Sequence, residues 1–133
     1  MKRSIVVLAG LALAGWISSA GASEVGPAPV KSGVPVRVLS YASYNPSTCY
    51  FGPLPILRIV RQPAHGTLVL DKHSYPSRVE RCAGKTFVAA TAVYRSNPGF
   101  RGRDEMEIDA ESEIYGNSQG MRTDRVHIVV DVK

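Results

Sequence analysis

The fold class that the sequence predicts is an all-β sandwich of six or seven short strands, and three observations carry that prediction. Apolar and polar residues alternate with a period of two in several short segments. Clusters of Pro, Gly, Asn and Asp, the residues that turns require, cut those segments apart. After the N-terminal segment, no stretch is both long and periodic enough for an amphipathic helix.

Residues 1–22 carry Lys2 and Arg3, then an apolar run over 5–17, then Ala20-Gly21-Ala22. This is the layout of a secretory signal peptide, with cleavage expected after Ala22. The run is shorter than the roughly 20 apolar residues a membrane span needs, and no cysteine follows it closely enough for a lipid anchor. Removing the signal leaves roughly 111 residues, enough for one domain. The mature chain is expected to be soluble and exported, periplasmic or secreted, in an oxidising compartment. Cys49 and Cys82 are the only cysteines and are expected to form a disulfide, because an even pair in an exported domain is a staple. Closing that loop stabilises a fold by about 3–4 kcal/mol in the chain-entropy model. A redox or zinc site would need a C-x-x-C spacing or further Cys and His neighbours, which the sequence lacks.

Residues 23–34 contain Pro and Gly without any period and are expected to be a flexible lead-in to a domain over 35–133. Strands are expected at 36–41, 56–61, 67–72, 86–95, 105–114 and 125–132, with a less regular extended piece at 49–51. In 105–114, Glu105, Glu107, Asp109, Glu111 and Glu113 fall on one face and Met106, Ile108, Ala110, Ser112 and Ile114 on the other. In the last strand Val126, Ile128, Val130 and Val132 share one face, and pairing of the two strands sets Arg125 and His127 opposite the acidic row. Residues 115–120 supply the Gly and Asn of a hairpin turn between them. Residues 71–85 show no alternation and are expected to be a long loop tied down by the disulfide.

Gln62-Pro63-Ala64-His65-Gly66-Thr67-Leu68, followed by Tyr94-Arg95-Ser96-Asn97-Pro98-Gly99-Phe100-Arg101-Gly102-Arg103-Asp104 and an alternating strand, resembles the bacterial Ig-like and cadherin-like repeat domains of exported proteins. The resemblance covers residues 60–132 and implies an Ig-like Greek-key β-sandwich. The residues have matching folding roles. Pro98 presets φ for a turn, Gly99 and Gly102 free the backbone, Phe100 plugs the end of the core, and Asp104 accepts turn N–H groups. His65 and Gly66 belong to the same turn motif, where a structural role is expected. The chain departs from the family before residue 60, in its cysteine pair, and in lacking the acidic interdomain motifs of cadherins.

Charge and motifs narrow the function. The full chain has 16 basic and 11 acidic residues, and removing Lys2 and Arg3 leaves a net charge of +3. The arginines are spread along the chain among acids, not gathered into the stripe that nucleic acid requires. Carboxylates on one strand face lie about 7 Å apart along a line, whereas calcium needs six to eight converging oxygens, so the acidic row is expected to be a wet edge paired with arginines. No G-x-S-x-G, H-E-x-x-H or P-loop occurs, and no cofactor or enzyme activity is expected. Tyr44, Tyr50 and Phe51 form an aromatic cluster of the kind that anchors partners. The expected function is a non-enzymatic binding or structural module of the bacterial cell envelope that recognises a protein or an envelope polymer. Alternatives are a small periplasmic hydrolase or hydrolase inhibitor using residues 71–82, and a part that self-associates through its charged edges.

Overall fold

Alternation along the chain decides which residues of this computed structural model are inside. It describes residues 22–45, 47–113 and 120–133. The expected signal peptide and hairpin turn therefore lie outside the described residues, except for Ala22 and Gly120. The strands are β1 (Ser23–Val30), β2 (Val36–Tyr41), β3 (Tyr44–Asn45), β4 (Tyr50–Phe51), β5 (Ile56–Arg61), β6 (Gly66–Pro76), β7 (Thr86–Ser96), β8 (Gly102–Glu113) and β9 (Met121–Val132). A single 3₁₀ turn, Glu80–Cys82, sits between β6 and β7.

Seven strands form two sheets, β1-β9-β8-β5 and β2-β7-β6, while β3 and β4 make a small separate hairpin. Neighbours pair antiparallel, except that β1 runs parallel to β9. The chain changes sheet between β1 and β2, β5 and β6, and β7 and β8, which is the Greek-key connectivity of an Ig-like sandwich. The longest pairing, β8 with β9, sets Asp109 opposite Arg125 and Glu107 opposite His127, in the register expected from the acidic row. Its inner face supplies Met106, Ile108, Val126, Ile128 and Val130, which meet Leu68, Ala92 and Tyr94 of the other sheet to form the core. Ile108 is fully buried, so Ile108→Ala is expected to destabilise the fold by about 2–5 kcal/mol.

Two expectations are corrected. Residues 23–34 are not a lead-in throughout, because β1 covers Ser23–Val30 along the free edge of β9. Pro27 and Pro29 conceal the strand in the sequence, but an edge strand tolerates residues without an N–H. The register shifts between Val25 and Ala28, where Gly26 has φ +108° and a Cβ would collide with the Val129 carbonyl oxygen. Residues 71–85 are not one long loop either, because β6 continues to Pro76 in unbroken register with β7. At this end of β6 residues 71–74 are exposed on both faces and only Tyr75 is half-buried, so burial imposes no alternation on its sequence.

Candidate functional site

The motif residues that resemble the exported repeat domains meet around one buried carboxylate. Asp104, 3% exposed, accepts hydrogen bonds from the Ala64 N–H (3.1 Å), the His65 N–H (3.2 Å) and the Tyr94 hydroxyl (2.8 Å). It thereby ties β8 to β7 in the other sheet and to the turn between β5 and β6. Burial, followed by this hydrogen bond, pushes the Tyr94 phenol well above its ordinary pKa. His65 stacks on Phe100 at 4.2 Å, and its carbonyl accepts the Asn97 N–H at 2.8 Å. A Cβ on Gly66 would meet the Arg95 carbonyl oxygen at 2.5 Å and the Tyr94 ring at 2.8 Å, so only glycine lets the two strands approach this closely. Gly99 and Gly102 both have positive φ, as the turn after Pro98 requires. All of these residues hold the fold.

A second tie of the same chemistry, which sequence reading missed, closes the other end. Tyr41 of β2 donates to Asp124 of β9 at 2.5 Å. Burial, then this bond, raises the Tyr41 pKa, and the same bond leads the causes that lower the Asp124 pKa.

The acidic row faces solvent on the four-stranded sheet and is matched there by cations. Arg125 forms a two-pronged bridge to Asp109 at 2.7 and 2.9 Å. Arg58 meets Glu111 at 3.1 Å, Arg103 meets Glu105 at 2.7 Å, and Arg61 lies 3.8 Å from both Glu105 and Glu107. His127 reaches Glu105 at 3.3 Å. The Arg125 bond lowers the Asp109 pKa, and the Arg103 bond, assisted by His127, lowers that of Glu105. Among the described residues no group of three or more His, Cys, Asp or Glu converges as metal ligands would.

The outer face of the three-stranded sheet is built differently. Tyr75 and Phe87 are paired across β6 and β7, and their rings lie 5.6 Å apart. Phe87 also stacks on Tyr44 at 5.6 Å and on Phe51 at 5.8 Å, so the β3–β4 hairpin leans on the sheet through its own rings. His73 meets the Tyr75 ring edge-on at 4.7 Å. The Tyr75 hydroxyl reaches Ser40 of β2 at 2.7 Å, so its ring crosses β7, where Ala89 and Thr91 are almost fully buried. The Arg37 guanidinium lies over the same ring, 5.9 Å from its centre. The expected disulfide joins Cys49, beside the hairpin, to Cys82 in the 3₁₀ turn, with the Cα atoms 5.5 Å apart. Arg81 adds a hydrogen bond to the Ser47 carbonyl at 3.1 Å.

Two of the three aromatics expected to form a binding cluster, Tyr44 and Phe51, thus join a larger row. Tyr50 projects from the opposite side of the hairpin strand and is 58% exposed. Sequence reading missed Tyr75, Phe87 and Arg37. A cavity of about 340 Å³ opens between β5 and β6, lined mainly by Leu54, Pro55, Leu57, Leu70 and Ala90. Asp71, at its rim, accepts the Lys72 N–H at 2.8 Å. Among the described residues no helix is long and apolar enough to cross a membrane. The chain matches no family model, no curated protein and no solved structure.

Proposed function

We propose that this protein is a non-enzymatic, exported binding module of the bacterial cell envelope, allied to the bacterial Ig-like and cadherin-like domains. It recognises an envelope protein or polymer with the aromatic row on its three-stranded sheet. The observation that carries this reading is the row itself: Tyr44, Phe51, Tyr75 and Phe87 pack ring to ring on the outside of the sandwich, each only partly buried. Aromatic rings give a large contact area with few rotatable bonds, which suits them to recognition. The disulfide fixes the hairpin that carries half of the row, as an oxidising compartment permits.

The test is capture of partners from envelope extract by the cleaved, oxidised protein and by its Tyr44→Ser and Phe51→Ser variants, with folding checked by circular dichroism. Binding to the parent that folded variants lose is the expected result. Equal capture by parent and variants would place the contact surface elsewhere.

A further inference from the structure

We infer that the aromatic row is a receptor for an acidic glycan, a polymer of sugar rings bearing carboxylates; this rests on the binding-module reading and names its ligand class. The rings supply the first half of the chemistry. The C–H face of a pyranose is flat and apolar and stacks on an aromatic ring, and here Phe87 has Tyr44, Phe51 and Tyr75 around it at 5.6–5.8 Å, the four rings coming from four strands. Such an open patch of half-buried rings gives flat sugar rings a surface to lie on without closing around a single one, which suits a chain of them.

Arg37 supplies the second half. Its side chain is exposed, and no carboxylate among the described residues lies within ion-pair distance of it. The Tyr75 ring beneath it is fixed in turn by the hydroxyl contact with Ser40. A planar guanidinium held over a ring presents a preformed fork to a carboxylate. All ion pairs among the described residues belong to the four-stranded sheet and its ends. In the segment 71–85, which carries Tyr75 and Cys82, the charged residues are Lys72, Arg78, Arg81 and Lys85 against Asp71 and Glu80, besides His73. The surplus is positive, and the matching anion comes from the ligand.

An acidic peptide fits less well. A peptide strand docks by adding to a sheet edge, which here is β2 or β6, whereas Phe87, the ring that touches the other three, stands on the central strand β7, so a peptide paired at either edge would run beside it and not across it.

The test is titration of the oxidised, signal-free protein, by calorimetry, with polygalacturonate, its methyl ester and polyglutamate. Polygalacturonate is expected to bind, and methyl esterification to weaken it by about tenfold or more, the scale of a charge-assisted hydrogen bond. Arg37→Gln should weaken it similarly and Arg37→Lys restore only part, since lysine keeps the charge without the fork. Phe87→Leu should also weaken it. Equal binding of the methyl ester, binding of polyglutamate as tight as that of polygalacturonate, or no effect of Arg37→Gln would overturn the inference. If polygalacturonate does not bind while Tyr44→Ser still abolishes capture from envelope extract, this inference fails and the binding-module reading stands. Failure of both experiments removes both.

Discussion

The outer faces of the two sheets solve the same problem, exposure to water, in opposite ways. On the four-stranded sheet, arginines from β5, β8 and β9 meet the carboxylates of β8. Positive and negative groups are interleaved there, and the face is satisfied within the molecule. On the three-stranded sheet, rings cover rings, and Arg37 lies on Tyr75 with no acidic partner among the described residues. A surface that has answered its own charges offers little to a ligand, whereas a surface with half an interaction still open selects for the other half.

The most drastic way to break this contrast is to cut the tie between the sheets. Asp104→Ala leaves the Tyr94 hydroxyl and two backbone N–H groups without their acceptor, and is expected to lower stability by about 3–5 kcal/mol in a denaturant titration. Asp104→Asn, which keeps one acceptor, should lose less. The next largest effect separates the faces. Replacing Cys49 and Cys82 by alanine should destabilise the domain by about 2–4 kcal/mol. Faster amide exchange is then expected in the hairpin and around Phe87 but not in β8 or β9. Equal loosening of both sheets would show that the staple holds the whole sandwich and not the row alone.

A smaller effect comes from pH and belongs mainly to the charged face. The carboxyl pKa values of Asp109, Asp124 and Glu105 are lower in the folded protein than ordinary carboxylates. Their contribution is complete above the ordinary carboxylate range and is lost as pH falls through their folded values. Thermal unfolding from pH 7 down to pH 2 should show this, and Asp124→Asn should flatten the acid limb. The phenols of Tyr94 and Tyr41 have the opposite sign. Their raised values make stability fall as pH rises above about 10, where the unfolded chain ionises first. The smallest effect is expected from Arg58→Ala, which removes one exposed bridge and should shift the melting temperature by no more than about 2 °C. A larger shift would mean that the bridges act as a network.

The charged face was legible in the sequence and the aromatic face was not, for a physical reason. In β8 and β9 one side of each strand is in the core and the other in water, so burial writes the alternation of Met106, Ile108 and Ala110 against Glu105, Glu107 and Asp109 directly into the residue order. Of the Asp104 tie, the acceptance of turn N–H groups was legible from the motif, but the bond from the Tyr94 hydroxyl was not, because it depends on how the two sheets face each other. The row depends on register and on a chain crossing. Tyr75 stands in a stretch with no alternation, and only its pairing opposite Phe87 and the return of the hairpin bring four rings together. β1 escaped notice because an edge strand buries little of itself, with Val30 its one buried residue.

The parallel pairing of β1 with β9 has a consequence for how the protein is made. The first of the described strands has its partner in the last of them, and Lys133 exchanges backbone hydrogen bonds with Ser32 and Val30. Until Met121–Val132 has emerged, β1 has no strand to pair with and β8 keeps one edge bare. The sandwich formed by the described strands therefore stays open until β9 has been made, and β9 closes it.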